Sequence, residues 1–594
     1  MKPDEEEFKK LKWLLERLHR SEEYCRPYFD RAKRHYQLYR FSTAVADADW
    51  PYVNRVRSRD ILAFVEDTTA ILIQTLFATQ PFISIIPRET GNSFVQQLGI
   101  DLTEVARQVE HLLDYQLSHE DTDFLEEIID FFKSGGIQGN SYIGVYPNFE
   151  GGEYTLPLLK TTGFWDVLPI PGSKRISKAL GVFVREFVTM DDLRKMEQFG
   201  VYKNIDKVDQ KGSGDTDNWH KSLLEDVGMS GYTTSEDIEV IHYFAGGHVI
   251  TFANRKNILR DSTIPVTDQM GQQIYEEPFP YSNPLVHFKH TPIPDEFFAM
   301  GIPEILEVLQ EDKNLIRSAR RDNIDLVINK IIQTKDGSDL NYDLLRYFPG
   351  AIWPDTMGKV EVMEMTDVTQ SSYAEEKGIQ ADMENALSLF GYARGMTPAH
   401  TEQPTTVMKL QQASMNRQDI NVKMAEITVL QEIARKIVML NRKYMKQETY
   451  EAIIGEPDAG FYRLPIQYIN RMFIMKPVGS SVTHIKEVRQ QQIMGAINLA
   501  MPYIQNPQLG QINIEPFTVN SLELLREGFD SSDVKTINRI LIPTPKEQPQ
   551  QDPLMQMALQ GIMSDPNMIE GLMTPPEQPQ QKPAQAKPKP QGGK

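Results

Sequence analysis

The feature that most constrains this chain is a change of period near residue 300. Residues 141–290 mostly alternate with the two-residue period of strands, as in Val182-Phe183-Val184-Arg185-Glu186-Phe187-Val188. From Gly301 to Ile332 the spacing becomes helical, with Pro303 near the first turn, where a missing N–H is tolerated. At 1.5 Å per residue, about 30 residues make a rod of about 45 Å. Gln333–Asp367 reads as a compact α/β insert with turns at Asp336-Gly337 and Phe348-Pro349-Gly350. Ser372 with Glu375 forms a capping box that opens a second helix, running to about Arg394. A loop, Gly395–Pro404, leads to the longest expected helix, Thr405–Lys446. Its stripe is Ile420, Met424, Ile427, Leu430, Ala434, Ile437 and Leu440. The predicted class is α+β and multidomain.

Ahead of the β region the chain reads as helices. Residues 5–41 carry Phe8, Leu11, Leu14, Leu15 and Leu18 at helical spacing. Their later part interleaves Arg26, Arg31, Lys33, Arg34 and Arg40 with Tyr28, Phe29, Tyr36 and Tyr39. Cations and rings in that pattern fit a nucleic-acid face. An amphipathic helix with aromatics in the core and cations in water is the commoner source of such a pattern and the favoured reading. Asp60–Ala78 is a second helix, stopped by Gln80-Pro81, and Phe82–Pro87 a short strand. Asp101–Lys133 is helical, broken by Gly135-Gly136-Ile137-Gln138-Gly139-Asn140, with Ser141–Tyr146 a strand. A short helix, Met190–Phe199, interrupts the β region, Lys211–Asp217 is a surface loop, and Ile238–Phe244 with His248–Phe252 forms a hairpin around Gly246-Gly247. Residues 447–485 are mixed short elements, and Glu487–Phe529 is helical between prolines. From Pro543 the chain turns to Pro, Gln and Lys and is expected to be disordered. Inside that tail, Leu554–Met573 is rich in Met and Leu, a docking helix or a passive oily stretch.

Chemistry is conspicuous by what the sequence lacks. No GxxxxGK[ST] or GxSxG motif occurs, and the glycines 135–139 follow a helix and precede a strand, the reverse of a dinucleotide fingerprint. His287 and His290 sit in an extended segment flanked by Pro284 and Pro292, which points to a structural pair, not metal ligands. Glu5-Glu6-Glu7, Glu126-Glu127 and Glu375-Glu376 fall at helix starts or on exposed faces, where dipole complementarity and solubility explain them. No catalytic residue, metal or cofactor is expected. One cysteine, Cys25, excludes an internal disulfide and fits a reducing compartment. The charged start, MKPDEEEFKK, does not read as a secretory signal, and Ile61–Phe77 is too short and too acidic to span a bilayer. Sixty-three Lys and Arg against 82 Asp and Glu give a net charge of −19, so any nucleic-acid contact must be local or weak.

The order of these segments, with the stretches HFKHTPIPDEFFAMGIPEI and Ile379–Gly395, resembles the portal protein of tailed bacteriophages, the head-to-tail connector, over roughly residues 5–530. The resemblance implies a wing of residues 1–300, completed by 447–485, and stem helices 301–332 and 371–394. It places a clip at 333–370, a tunnel loop at 395–404, the long wing helix at 405–446, a crown at 486–542 and a disordered tail at 543–594. It implies a ring, usually of twelve subunits, at one capsid vertex of a virion made in a bacterial cytoplasm. Double-stranded DNA would pass through it during genome packaging and ejection, with terminase, tail adaptors, major capsid and scaffolding proteins as partners and no membrane. Another minor head or collar protein, or a DNA-processing enzyme of the packaging machinery, is the alternative.

A conduit must surround DNA without gripping it, because each cation that neutralises a phosphate adds affinity through ion release. Twelve such chains carry on the order of two hundred negative charges, which would keep DNA near the axis. Arg394, Thr397, His400 and Lys409, in or beside the tunnel loop, are the expected DNA-channel residues, although Arg394 and Lys409 would serve as well in ion pairs. On the first stem helix Glu304, Glu307, Glu311 and Asp312 precede Arg317, Arg320 and Arg321. Glu307 and Glu311 of one copy are expected to face Arg317 and Arg320 of the next. Internal pairing on a solvated helix is the plainer alternative.

Overall fold

A computed structural model describes residues 3–40, 56–77, 81–88, 99–150, 153–208, 238–264, 266–267, 273–274, 278–328, 331–334, 360–363, 369–389 and 420–478. All of these fall in the compact unit Met1–Glu487. The tunnel-loop, crown and tail expectations, Leu554–Met573 and the loop Lys211–Asp217 lie outside them.

The fold is α+β. Helix α1, Pro3–Arg40, runs 38 residues, about 57 Å. Its Leu14, Leu18, Cys25, Phe29 and Ala32 are buried with the aromatic side of the main sheet. Tyr24, Tyr28 and Tyr36 pack on the same cluster, so these rings belong to the core. Helix α2, Asp60–Leu76, leads to strand β1, Ile83–Pro87.

The run expected as one helix from Asp101 to Lys133 is two. Helix α3, Leu102–Ser118, is capped by the Asp101 carboxylate, which accepts from Thr103 N–H. The chain then turns through His119–Asp123, Asp123 taking φ 47°, and restarts as α4, Phe124–Gln138. Gly135 and Gly136 do not break α4. Gly135 lets it press on a neighbour: a Cβ there would lie 2.5 Å from the Phe288 ring. The helix ends instead at Gly139, φ 78°, where a Cβ would sit 2.2 Å from the Ala299 carbonyl oxygen.

Strands β2 (Asn140–Glu150) and β3 (Glu153–Thr162) form a hairpin. Strands β4 (Val167–Pro169) and β5 (Val182–Val188) begin the main sheet. A short helix α5, Met190–Gln198, interrupts, capped by Thr189. Strands β6 (Ile238–Ala245), β7 (His248–Ala253) and β8 (Asn257–Asp261) complete an antiparallel order β4-β5-β6-β7-β8. The β6–β7 turn falls at Gly246-Gly247, both at positive φ, as the mirror-image hairpin turn requires. Strand β9, Leu285–Lys289, adds to β2. It carries His287, whose ring is stacked between Tyr142 and Phe297 and whose Nε2 lies 3.1 Å from Asn140 Oδ1. His290, beyond the strand end, is buried with Nδ1 3.1 Å from Thr291 Oγ1. Burial drives His290 down to about 4, and among the described residues no group of three metal-ligating side chains exists.

Helix α6 is Ile302–Ile328. Strands β10 (Ile331–Thr334) and β11 (Val360–Met363) form an antiparallel ladder. Helix α7 is Thr369–Leu387. Ser372 is therefore inside α7, one turn past its start, and not a cap. Residues 420–425 are helical, 426–430 make a π turn, and α8 follows as Gln431–Tyr444. The π turn breaks the expected stripe. An inserted residue rotates the helix face by roughly 100°, so Leu430, Ala434, Ile437 and Leu440 are buried while Ile420, Met424 and Ile427 are exposed. Helix α9, Gln447–Ile454, precedes strand β12, Phe473–Pro477, which returns to pair antiparallel with β1. Sequence-distant segments thus share one core, where α3, α4 and α8 pack together. Among the described residues no helix is long and apolar enough to cross a membrane.

Candidate functional site: the paired helices 302–328 and 369–387

Helix α6 starts in the core and leaves it. Gly301, the residue before it, lies against the end of α4: a Cβ there would be 2.5 Å from the Ile137 carbonyl oxygen. The inward face of the first two turns is apolar. Ile302 and Leu306 are buried with Ile61, Phe64 and Val65 of α2, Ile137 of α4, and Met383 and Leu387 of α7. From Gln310 onward the inward face becomes polar, and hydrogen bonds and ion pairs take over the contact with α7.

Lys313 stands at the changeover. Its ammonium is 2.9 Å from Asp60 Oδ1 and donates to Gln380 Oε1 at 2.6 Å, so one cation ties α2, α6 and α7 together. Burial pushes the Asp60 carboxyl up, but bonds from Ser58 and Lys313 outweigh it and leave the group below the usual carboxylate range. One turn on, Arg317 Nε lies 2.7 Å from Glu376 Oε1 and Arg320 Nη2 lies 2.6 Å from Glu376 Oε2. A single α7 carboxylate bridges two arginines and is held acidic by them against its own desolvation. The Arg320 guanidinium also stacks 4.1 Å above the Tyr373 ring. The segment before α2 runs alongside: Ser58 N–H donates to Asn314 Oδ1 at 2.8 Å, and Val56 N–H to Ser318 Oγ at 2.9 Å.

The acidic half of α6 faces α1. Arg31 reaches Glu304 at 3.2 Å, and Arg34 pairs with Glu307 and, at 2.9 Å, with Glu311. Partial burial nonetheless raises Glu304 and Glu307, with Arg31 and Arg34 opposing that rise.

Of the residues singled out from sequence, Glu307, Glu311, Arg317 and Arg320 all lie on α6 and all have partners inside the chain. Arg394, Thr397, His400 and Lys409 lie outside the described residues. Glu376, expected on an exposed face near a helix start, is instead the acceptor that joins the two helices. Sequence reading missed Lys313, Asp60 and Gln380 altogether. The one available signal was a lysine in line with Ile302 and Leu306 on the face that starts in the core, where a charge asks for a buried counter-charge.

A second charged cluster binds α1 to the main sheet. Glu22 accepts from Arg185 and Arg255 at 2.8 Å each, and Glu239 lies 3.0 Å from the Nε of both. Asn254 and Arg255 both take positive φ at the β7–β8 turn, and the two carboxylates hold that turn against its strain.

No protein-family model matches this chain, and no curated protein matches it. Among solved structures, a chain of "Neck of empty GTA particle computed with C6 symmetry" is similar at a TM-score of 0.35 and 10% identity. The match covers 80% of this chain and 95% of that one. A likeness of that size is too slight to assign fold or role.

Proposed function

We propose that this chain is a portal-type subunit: a non-enzymatic structural protein whose copies form a ring around a passage for double-stranded DNA at one vertex of a phage-like capsid. The observation that carries the reading is the helix pair itself. Two antiparallel rods leave an α+β body, are joined by the ladder of 331–334 with 360–363, and are locked to each other by a polar seam. Such an element suits a stem, with the ladder in the clip and residues 1–300 in the wing. It works by shape, and no bond-making chemistry is needed of it.

The charge balance supports the same reading. At −19 per chain, a ring would repel DNA from its walls and let it slide. Arg394, Thr397, His400 and Lys409 would supply brief contacts at the narrowest point. The clip would meet terminase during packaging and tail adaptors afterwards, and the ring would sit among capsid and scaffolding proteins. The test is negative-stain microscopy of the purified full chain. Annular particles with a central hole are expected, and compact particles without a hole at every concentration would refute the reading.

A further inference from the structure

A groove of about 560 Å³ opens where the turn 119–123 joins α3 to α4. Its floor is aromatic. The rings of Phe77, Phe82 and Phe124 meet pairwise at 5.2, 5.6 and 6.2 Å, and Leu117 is buried beside them. On its wall Leu125 and Ile129 are 53% and 38% exposed. Four residues apart, they share one stripe of α4, two apolar groups in water next to an apolar floor. The rim is acidic. Glu120, Asp123, Glu126 and Asp130 line it, and all four are exposed. None of these carboxylates has an ion-pair partner among the described residues, and Lys133, one turn beyond Asp130, is held by Glu66 at 2.6 Å. The helix dipole accounts for Asp123 and Glu126 at the start of α4. It does not account for Glu120 or Asp130, nor for a leucine and an isoleucine left in water.

We infer that this groove receives a basic segment of another protein, which lays apolar side chains on the three phenylalanines and sets Lys or Arg against the four carboxylates. Two features select that occupant. Apolar floor and wall bare to water gain from being covered by apolar side chains. The rim then fixes the sign of what covers them. Four uncompensated negative charges repel phosphate, so neither a nucleic acid nor an anionic bilayer suits the groove, whereas Lys and Arg are drawn to it. Apolar anchors flanked by charge are how amphipathic segments are held in grooves. The Met- and Leu-rich stretch of this chain, Leu554–Met573, carries Asp565 and Glu570 and no Lys or Arg, so its charge has the wrong sign. The inference stands apart from the ring reading: the groove offers the same floor and rim whether or not copies of the chain encircle a passage.

The experiment is fluorescence anisotropy of the full chain with a labelled amphipathic peptide of Leu and Lys. Matched peptides of Leu with Glu, and of Ser with Lys, separate the apolar requirement from the charge requirement. The Leu/Lys peptide should bind about tenfold or more tightly than either, and more weakly as salt rises. Leu125→Asp with Ile129→Asp should weaken it about tenfold or more, and so, separately, should Glu120→Lys with Asp130→Lys. Melting temperatures should hold, because all four side chains are exposed. Glu16→Lys with Asp206→Lys makes the same change of charge at two exposed positions outside the groove and should leave binding as it was. If one groove pair fails to fold, the other decides. No binding of the Leu/Lys peptide, equal binding of either matched peptide, or an equal loss in the Glu16 and Asp206 variant would overturn the inference. So would particles whose mass changes in the Leu125 and Ile129 variant while peptide binding stays intact, since another copy would then be what covers the groove.

Discussion

Lys313→Met tests whether the changeover from apolar to polar contact on α6 holds the rod to its base. The Lys313 side chain is 6% exposed and Asp60 is 21% exposed, with 2.9 Å between their charges. Removing one member of a buried ion pair costs about 3–5 kcal/mol, mostly because the other charge is left unpaired. Asp60 keeps some water and its bond to Ser58, which puts its share near the lower end, about 3 kcal/mol. Gln380 Oε1 loses a donor at 2.6 Å, worth about 1 kcal/mol. Lys313→Met should therefore cost about 3–4 kcal/mol in urea unfolding followed by circular dichroism. The double variant Lys313→Met with Asp60→Asn removes the stranded charge and should recover about 2 kcal/mol of that. A loss below about 1 kcal/mol for Lys313→Met, or no recovery in the double variant, would refute the account of this lysine as a bridge.

The Arg320–Glu376 pair distinguishes internal from inter-subunit charge pairing: Arg320→Glu should destabilise the chain, and adding Glu376→Arg should restore most of the loss in thermal melting of dispersed protein, with no restoration if the partner is another copy. Glu239 is 1% exposed, as is Arg185. Glu239→Gln should cost about 3 kcal/mol and, unlike a surface pair, show little change of that cost between low and high salt. Measured unfolding free energies that merge at high salt would contradict it. His35 and His290 are buried and both lowered to about 4, His35 by burial and then by Arg31 and Arg34, His290 by burial alone. The unfolded chain takes up these protons below about 6.5 while the folded chain does not. Stability is therefore full above that pH and falls as pH drops toward 4, by about 1.4 kcal/mol per histidine at pH 5.5. Unfolding at pH 7.5 and 5.5 should show the drop, and His290→Gln should remove its share.

Periodicity located most of the elements, because amphipathic helices and alternating strands write their buried face into the sequence. Pro3–Arg40, Asp60–Leu76, Met190–Gln198, Ile302–Ile328 and the Gly246-Gly247 hairpin are where that pattern put them. It failed where a long-range contact overrode a local rule. Gly135 looks like a breaker, yet Phe288, more than 150 positions away, needs its missing side chain. The π turn at 426–430 is invisible to a fixed helical period, which predicts one continuous stripe where the buried face rotates. In the candidate site the charged residues of α6 were legible and their partners were not. Arg34 lies some 270 residues before Glu307 and Glu376 some 55 after Arg320, and pattern alone cannot rank such pairings above one between copies.

That the seam of α6 with α7 is polar beyond Gln310 bears on what the pair is for. An apolar seam would hold two helices together about as well, and replacing buried ion pairs by apolar packing is often neutral or stabilising. Apolar faces, however, can slide by a turn and repack with little loss, whereas a two-arginine clamp on one carboxylate and a lysine shared between Asp60 and Gln380 fit at one height only. A slip of one turn within a chain would carry the far ends of the two rods out of step with each other. A register fixed by charge inside each chain keeps the rods of every copy at one height, which identical contacts between copies require. On this argument, replacing Arg317, Arg320 and Glu376 together by Leu should leave the chain folded but let α6 and α7 settle at more than one relative height, read as a broadened distance distribution between spin labels at 312 and 382 of the dispersed chain. A distribution as narrow as that of the parent would show that register is set elsewhere.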